Sequence, residues 1–300
     1  MTLSSPPMSR LTHRFRSMGV DGVIVAPPDA DEAVAEARRT LDAWEGRFSR
    51  FDPASELSQL NARAGSNVGI PISLEMTSAI GTAITAARAT DGLFDPLLGA
   101  RMVELGYDRT YEDLSDGGTV RPSVWVTGRW QTIDLDPVAR TVRLPPGTEL
   151  DLGGLAKGMA VDDALAVVAG VAGFAAVSLG GDLAVHGVPP DTTEWIIELD
   201  GPGKPTIGIG SGGLATSSVR RRRWTNGGVP RHHLLDPRTG MPAETGLVQV
   251  TVVAASCAQA EVAAKASLLL GPDRGSEFLR DRRLAGVLID INGVERRVPA

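Results

Sequence analysis

DLGGLAKGMAVDDAL, Asp151–Leu165, is the stretch on which the reading of the fold turns. Gly153 and Gly154 stand at a strand-to-helix turn, and the helix they open is expected to reach about Val168. Exposed amides at a helix start attract anions. Lys157 falls in the first turn of that helix, where its charge opposes the helix dipole. A ligand phosphate beside it removes that cost. The plainer reading is a surface lysine over a glycine turn.

Upstream, a short strand is expected around Gly22–Ala26. Asp29 or Asp31 then caps a helix to about Arg47, with Val34, Ala37, Leu41 and Trp44 on one face. Ser55 followed by Glu56 starts a short helix. Ile72–Thr90 is amphipathic and ends at Asp91–Gly92. Gly117–Leu152 reads as β structure in three pieces, VWVTG, TIDLD and TVRLP. Downstream, glycine-broken strands occupy Ala175–Gly187, Trp195–Asp200 and Thr206–Ser218, with a further strand at Leu247–Ala254. Helices are expected at Cys257–Leu270 and Gly275–Arg282, before a terminal hairpin at Gly286–Gly293. Helix pairs alternate with antiparallel strand runs, the pattern of an α+β fold in two lobes. Residues 1–14 read as a flexible tail and 15–300 as the folded domain.

The chain has 300 residues, 42% of them hydrophobic, enough for a large core. Its net charge of −6 argues against a nucleic-acid surface, and 4% aromatics against a stacking platform for single strands. One cysteine, Cys257, allows no internal disulfide. The sequence shows no apolar leader core, no lipid-anchoring cysteine and no stretch fit to span a bilayer, so no stable membrane insertion is expected. A cytoplasmic location is the reading.

Other segments carry candidate chemistry. HHLLDPRTG, His232–Gly240, sets two histidines before a tight turn in which Asp236 and Arg238 pair locally or serve a site. DGLFDP, Asp91–Pro96, and LGGDL, Leu179–Leu183, read most simply as turns. Arg220–Arg223 is a basic run, usually a solvated loop, from which one or two arginines could meet a phosphate. Glu261 and Lys265 lie four apart on one helix face, the spacing of an ion pair.

Taken in order, these segments resemble the ApbE family, the FAD:protein FMN transferases. The matching parts are RSMG (Arg16–Gly19), FSRFDPASELSQLN (Phe48–Asn61), DGLFDP, DLGGLAKGMAVD, LGGDL, LATSS (Leu214–Ser218), HHLLDPRTGMPA (His232–Ala243) and AEVAAKASLLLG (Ala260–Gly271). The resemblance implies an α+β fold related to T-folds, with antiparallel sheets, flanking helices and FAD held between two lobes. It implies cleavage of the FAD pyrophosphate, transfer of FMN through a phosphoester to a threonine of a target flavoprotein, and release of AMP, normally with magnesium. Hydrolysis of FAD to FMN and AMP, or FAD binding without catalysis, are the alternatives.

By the same resemblance, Met18, Phe51, Leu93, Phe94 and Asp95 contact the flavin or adenosine. Asp151 and Lys157 line the nucleotide site, and His233 approaches it from the turn built on Asp236. These last two are the catalytic candidates. Metal ligands fall on the Gly154 carbonyl and on Glu261, where the family has aspartate. Lys265 stands where the family has threonine. Ser178 replaces a usual asparagine, and the family's TSG reads TSS here. An ammonium is no metal ligand, so Lys265 is expected in the metal position, paired with Glu261. The competing placement turns Lys265 away and leaves magnesium on Glu261, Gly154, water and phosphate.

Overall fold

A computed structural model describes residues 2–3, 10–114 and 125–300. The chain divides into two compact units: Met1–Glu45 with Leu155–Ser217 and Gly246–Ala300, and Gly46–Gly154 with Ser218–Thr245.

The first unit is built on an eight-stranded sheet: β1 (Leu11–Ser17), β2 (Val20–Ala26), β3 (Ala175–Leu179), β4 (Asp182–His186), β5 (Gly212–Ser218), β6 (Leu247–Ala254), β7 (Ala285–Asp290) and β8 (Glu295–Val298). Its spatial order is the chain order, β1 through β8. Neighbours from β1 to β5 pair antiparallel, as do β6 with β7 and β7 with β8. The α+β architecture with antiparallel sheets is therefore as the sequence indicates.

Seven α-helices occur among the described residues: α1 (Asp31–Phe48), α2 (Glu56–Asn61), α3 (Leu74–Ala89), α4 (Gly99–Glu104), α5 (Ala156–Ala169), α6 (Cys257–Leu270) and α7 (Pro272–Asp281). α5 packs on β3 and β4, α6 on β6, and α7 on β7. Val161, Ala164 and Val168 of α5, with Ala260, Ala264 and Leu268 of α6, are wholly buried. Small alanine side chains let α5 and α6 approach closely. A Cβ on Gly158 would lie 2.7 Å from Ala258 Cα.

The two helices also cap one another. Asp162 of α5 accepts from the amides of Cys257 (2.8 Å) and Ala258 (3.0 Å) at the start of α6, beside the N-cap Ser256. Glu261 of α6 accepts from the Gly158 amide (3.0 Å) in the first turn of α5. Each carboxylate satisfies amides that helix starts leave without partners.

The second unit holds α2, α3 and α4. It also has a three-stranded sheet of Ile70–Pro71, Asp134–Asp136 and Thr141–Arg143, and two hairpins, Arg223–Asn226 with Val229–His232 and Leu235–Asp236 with Met241–Pro242. α2 starts as the sequence predicts, with Ser55 capping Ser58, and α3, expected from Ile72, starts at Leu74 with Ser73 capping Met76. Glu56 then ties them, accepting from the Ser73 amide and hydroxyl, both at 2.6 Å.

Two expectations are corrected. The tail reading for residues 1–14 stops short, because Leu11–Ser17 is an edge strand. Its sequence, LTHRFRS, is too polar to announce a strand. A tight turn pairs it with β2 through the backbone, and its charged side chains blunt the edge. VWVTG is not a strand from Trp125 onward. Trp125 instead donates its indole N–H to the Pro237 carbonyl (2.6 Å), and Val124, with the rest of Gly117–Val124, lies outside the described residues. No helix among the described residues is long and apolar enough to cross a membrane.

Candidate functional site

In the first unit the chemistry gathers where α5, α6 and the β3–β4 hairpin meet. Gly180 and Gly181, both at positive φ (65° and 103°), turn β3 directly into β4. That tight turn delivers Asp182, 4% exposed, to the buried end of the hairpin. The Lys157 ammonium donates to Asp182 Oδ2 and, at 2.6 Å, to Glu261 Oε1. Glu261 Oε2 is taken by the Gly158 amide. Lys157 thus meets the dipole cost of its helix position with two protein carboxylates. Burial pushes the Glu261 carboxyl above its ordinary range, opposed chiefly by the Lys157 charge and in smaller part by Lys265.

Lys157 joins the Lys265 expected beside Glu261. Lys157 reaches across from α5 to bond Glu261, and the Lys265 charge also acts on that carboxylate. Asp182 was passed over in the sequence because GGD reads as a plain turn. A carboxylate opening an otherwise apolar strand was the available signal.

Met18 holds the turn between β1 and β2. It and Gly19 both lie at positive φ (51° and 69°), the geometry of a two-residue hairpin turn. Methionine is unusual there, and such strain gathers at functional sites.

In the second unit, Arg50 is the organising residue, and the sequence reading did not single it out. Its guanidinium lies 4.4 Å from the ring centres of both Phe51 and Tyr107, donates to the Tyr107 carbonyl (2.7 Å), and stands 3.9 Å from Asp151. Trp224 stacks on Tyr107 at 5.1 Å. Asp151 also accepts from the Gly153 amide (2.8 Å), shaping the turn before α5. The structure thus brings Phe51 and Asp151 to one arginine.

Asp95 is buried, and desolvation pushes its carboxyl up to about 6 against the bond it accepts from the Leu97 amide. Leu93 and Phe94 are core side chains, 9% and 2% exposed. Phe94 is the more buried of the two.

Asp236 accepts from the Arg238 amide and from its guanidinium with both oxygens, at 2.6–3.1 Å. Its backbone carbonyl accepts from Gly240 (2.8 Å). Asp236 therefore organises the turn that follows His233. Buried Arg101 braces the same turn through the Gly240 carbonyl (2.7 Å). His232 Nδ1 accepts from the Leu234 amide, so Nε2 carries the proton and donates to the Ala243 carbonyl. Burial lowers the His232 pKa and holds the ring neutral. A cavity of about 790 Å³ opens beside this turn, lined by Arg88, Asp91, Trp130, Gln131 and Arg238 among others.

Residues 18–288 match the ApbE family. The chain belongs to that family. An FAD:protein FMN transferase of Chlamydia trachomatis is 28% identical over 261 residues, spanning 86% of this chain and 81% of that protein. One from Haemophilus influenzae is 26% identical over 281 residues, at 90% and 81% coverage. The crystal structure of the ApbE protein of Thermotoga maritima aligns with a TM-score of 0.82 and 27% identity, over 96% of this chain and 97% of that one. Apo flavinyl transferase ApbE of Pseudomonas stutzeri gives 0.81 at 21% identity, over 97% and 95%, a likeness of fold.

The magnesium implied for ApbE proteins does not fit these residues as they stand. The ion takes hard oxygen donors at about 2.1 Å in octahedral array. Each Glu261 oxygen already accepts a hydrogen bond, one of them from an ammonium that repels a cation. Lys265 offers no lone pair while protonated. No group of three His, Cys, Asp or Glu side chains among the described residues converges as a ligand set.

Proposed function

We propose that this protein is an FAD:protein FMN transferase. The observation that carries the reading is the run of curated relatives bearing that name over four-fifths or more of both chains. In the step, a threonine oxygen of the target flavoprotein bonds to the FMN phosphorus. The pyrophosphate P–O bond on that phosphorus breaks, and AMP leaves with the bridging oxygen. The hydroxyl proton passes to a base.

His233 is our assignment for that base, because imidazole exchanges protons near neutral pH. Asp236 and Arg101 hold its turn. Lys157 supplies positive charge to the diphosphate, whose cleavage depends on charge neutralisation and positioning more than on covalent chemistry. Met18, Phe51, Asp151 and the backbone at Leu93–Asp95 are assigned to the rest of FAD. The family's magnesium would supply further charge, but the donor set at Gly154 and Glu261 does not support a resident ion.

Incubation with FAD and a threonine-bearing flavoprotein domain tests the reading. Covalent in-gel flavin fluorescence with equimolar AMP is expected. AMP without a labelled target marks a hydrolase, and no AMP marks a binding protein.

A further inference from the structure

We propose that two ammonium groups, Lys157 and Lys265, stand in for the divalent ion at Glu261, so that this protein cleaves FAD without bound metal. The inference rests on the transferase reading and specifies its charge chemistry. Three observations lead to it.

First, the Lys157 ammonium lies 2.6 Å from Glu261 Oε1, and the Gly158 amide holds Oε2. A divalent ion on either oxygen would share the carboxylate with a like charge only a few ångströms away.

Second, Lys265 sits one helical turn along α6 from Glu261, on the same helix face. The side chains in this cluster, Lys157, Lys265, Asp182 and Glu261, sum to zero charge. A metal added to a balanced, largely buried group would leave an excess that only incoming phosphate could offset. Two carboxylates without the lysines would instead demand a divalent cation.

Third, the position that would complete an oxygen set carries nitrogen. Threonine or serine at 265 would present a hydroxyl to the same face as Glu261. Lysine presents a cation there.

The test is a Mn2+ titration of the full-length, EDTA-dialysed protein followed by electron paramagnetic resonance, run beside an assay of AMP release from FAD in EDTA with the threonine-bearing flavoprotein domain present. Wild type is expected to leave the free Mn2+ signal undiminished and to release AMP in EDTA as it does in Mg2+. Lys265→Thr, which trades the ammonium for a hydroxyl oxygen, is expected to take up one Mn2+ per chain with unchanged circular dichroism. Stoichiometric Mn2+ on wild type, or AMP release lost in EDTA and restored by Mg2+, overturns the proposal. Failure of folded Lys265→Thr to take up Mn2+ also counts against it. A protein that releases no AMP under any condition sinks the transferase reading instead, and the wild-type and Lys265→Thr titrations still decide the metal question.

Discussion

Asp95 and Lys157 are both charges held out of water, with opposite consequences. Burial raises the Asp95 carboxyl to about 6. A folded-state value above the unfolded one means the folded protein binds the proton more tightly, so stability falls as pH rises through the window from about 4 to 6. The shift corresponds to about 3 kcal/mol at neutral pH. Asp95→Asn keeps an acceptor for the Leu97 amide without the charge. It should be more stable than wild type at pH 7.5 by up to that amount, with the advantage gone near pH 4. Urea titrations across pH read this directly, and a pH-independent difference would show that the charge is not the cause. Lys157→Met has the reverse sign. It strands Asp182 and Glu261 together in the interior, a loss of about 3–5 kcal/mol for a broken buried pair. Adding Glu261→Gln should restore part of it, and no recovery would mean that the stranded Glu261 charge is not the source of the loss. FAD affinity should fall in either lysine variant, as measured by flavin fluorescence. Lys157 and Asp236 stand out in the sequence because a cation in a helix's first turn and an acid before Pro-Arg-Thr-Gly are locally odd. Asp182, Arg50 and Arg101 do not. Their partners lie 25, 57 and 139 positions away, at Lys157, Tyr107 and Gly240, and no local pattern reports such distances.

At the level of elements, the helices were the legible part. Ser55, the apolar pattern from Ile72 and the Asp91–Gly92 stop mark α2 and α3 within a residue or two, because caps and stops act locally. β1 was not legible, since an edge strand held by its turn and its neighbour's backbone needs no apolar alternation of its own. The crossing of α5 and α6 was equally hidden. It depends on Gly158 meeting Ala258, a coincidence of two alanine-rich surfaces. Gly158→Ala forces a methyl to within 2.7 Å of a backbone carbon. The helices must part, which strains both reciprocal caps. Overpacking of this kind costs about 1–3 kcal/mol. The melting temperature should drop, and FAD affinity should drop with it, because the Glu261 carboxylate moves with α6. A variant as stable as wild type would mean that the crossing yields more readily than its packing suggests. A variant destabilised with unchanged affinity would separate the crossing from the site.

Neither unit is a single run of chain, which bears on how the molecule can be dissected. Gly46–Gly154 supplies Met102, Leu105 and Tyr107 to one apolar cluster, while Trp224 and Leu235 reach it from Ser218–Thr245. The Trp224 indole donates to the Leu105 carbonyl (2.7 Å), and Arg101, 7% exposed, places its guanidinium on the Gly240 carbonyl. A fragment spanning 46–154 alone would expose the faces of Tyr107 and Leu105 and leave a buried guanidinium without that acceptor. Losing the burial of a large apolar side chain such as Leu235 costs about 1.5–3 kcal/mol, and Trp224 adds its own contribution, against a net stability of only about 5–15 kcal/mol for a typical domain. The fragment is therefore expected to lack near-ultraviolet circular dichroism and dispersed amide resonances. Joining residues 46–154 to 218–245 through a flexible linker should restore both. A well-dispersed spectrum from 46–154 alone would show that α2, α3 and α4 suffice as a core. The hairpins bearing Trp224 and Asp236 would then be passengers on that core, and the case that they brace the His233 turn from within would weaken with it.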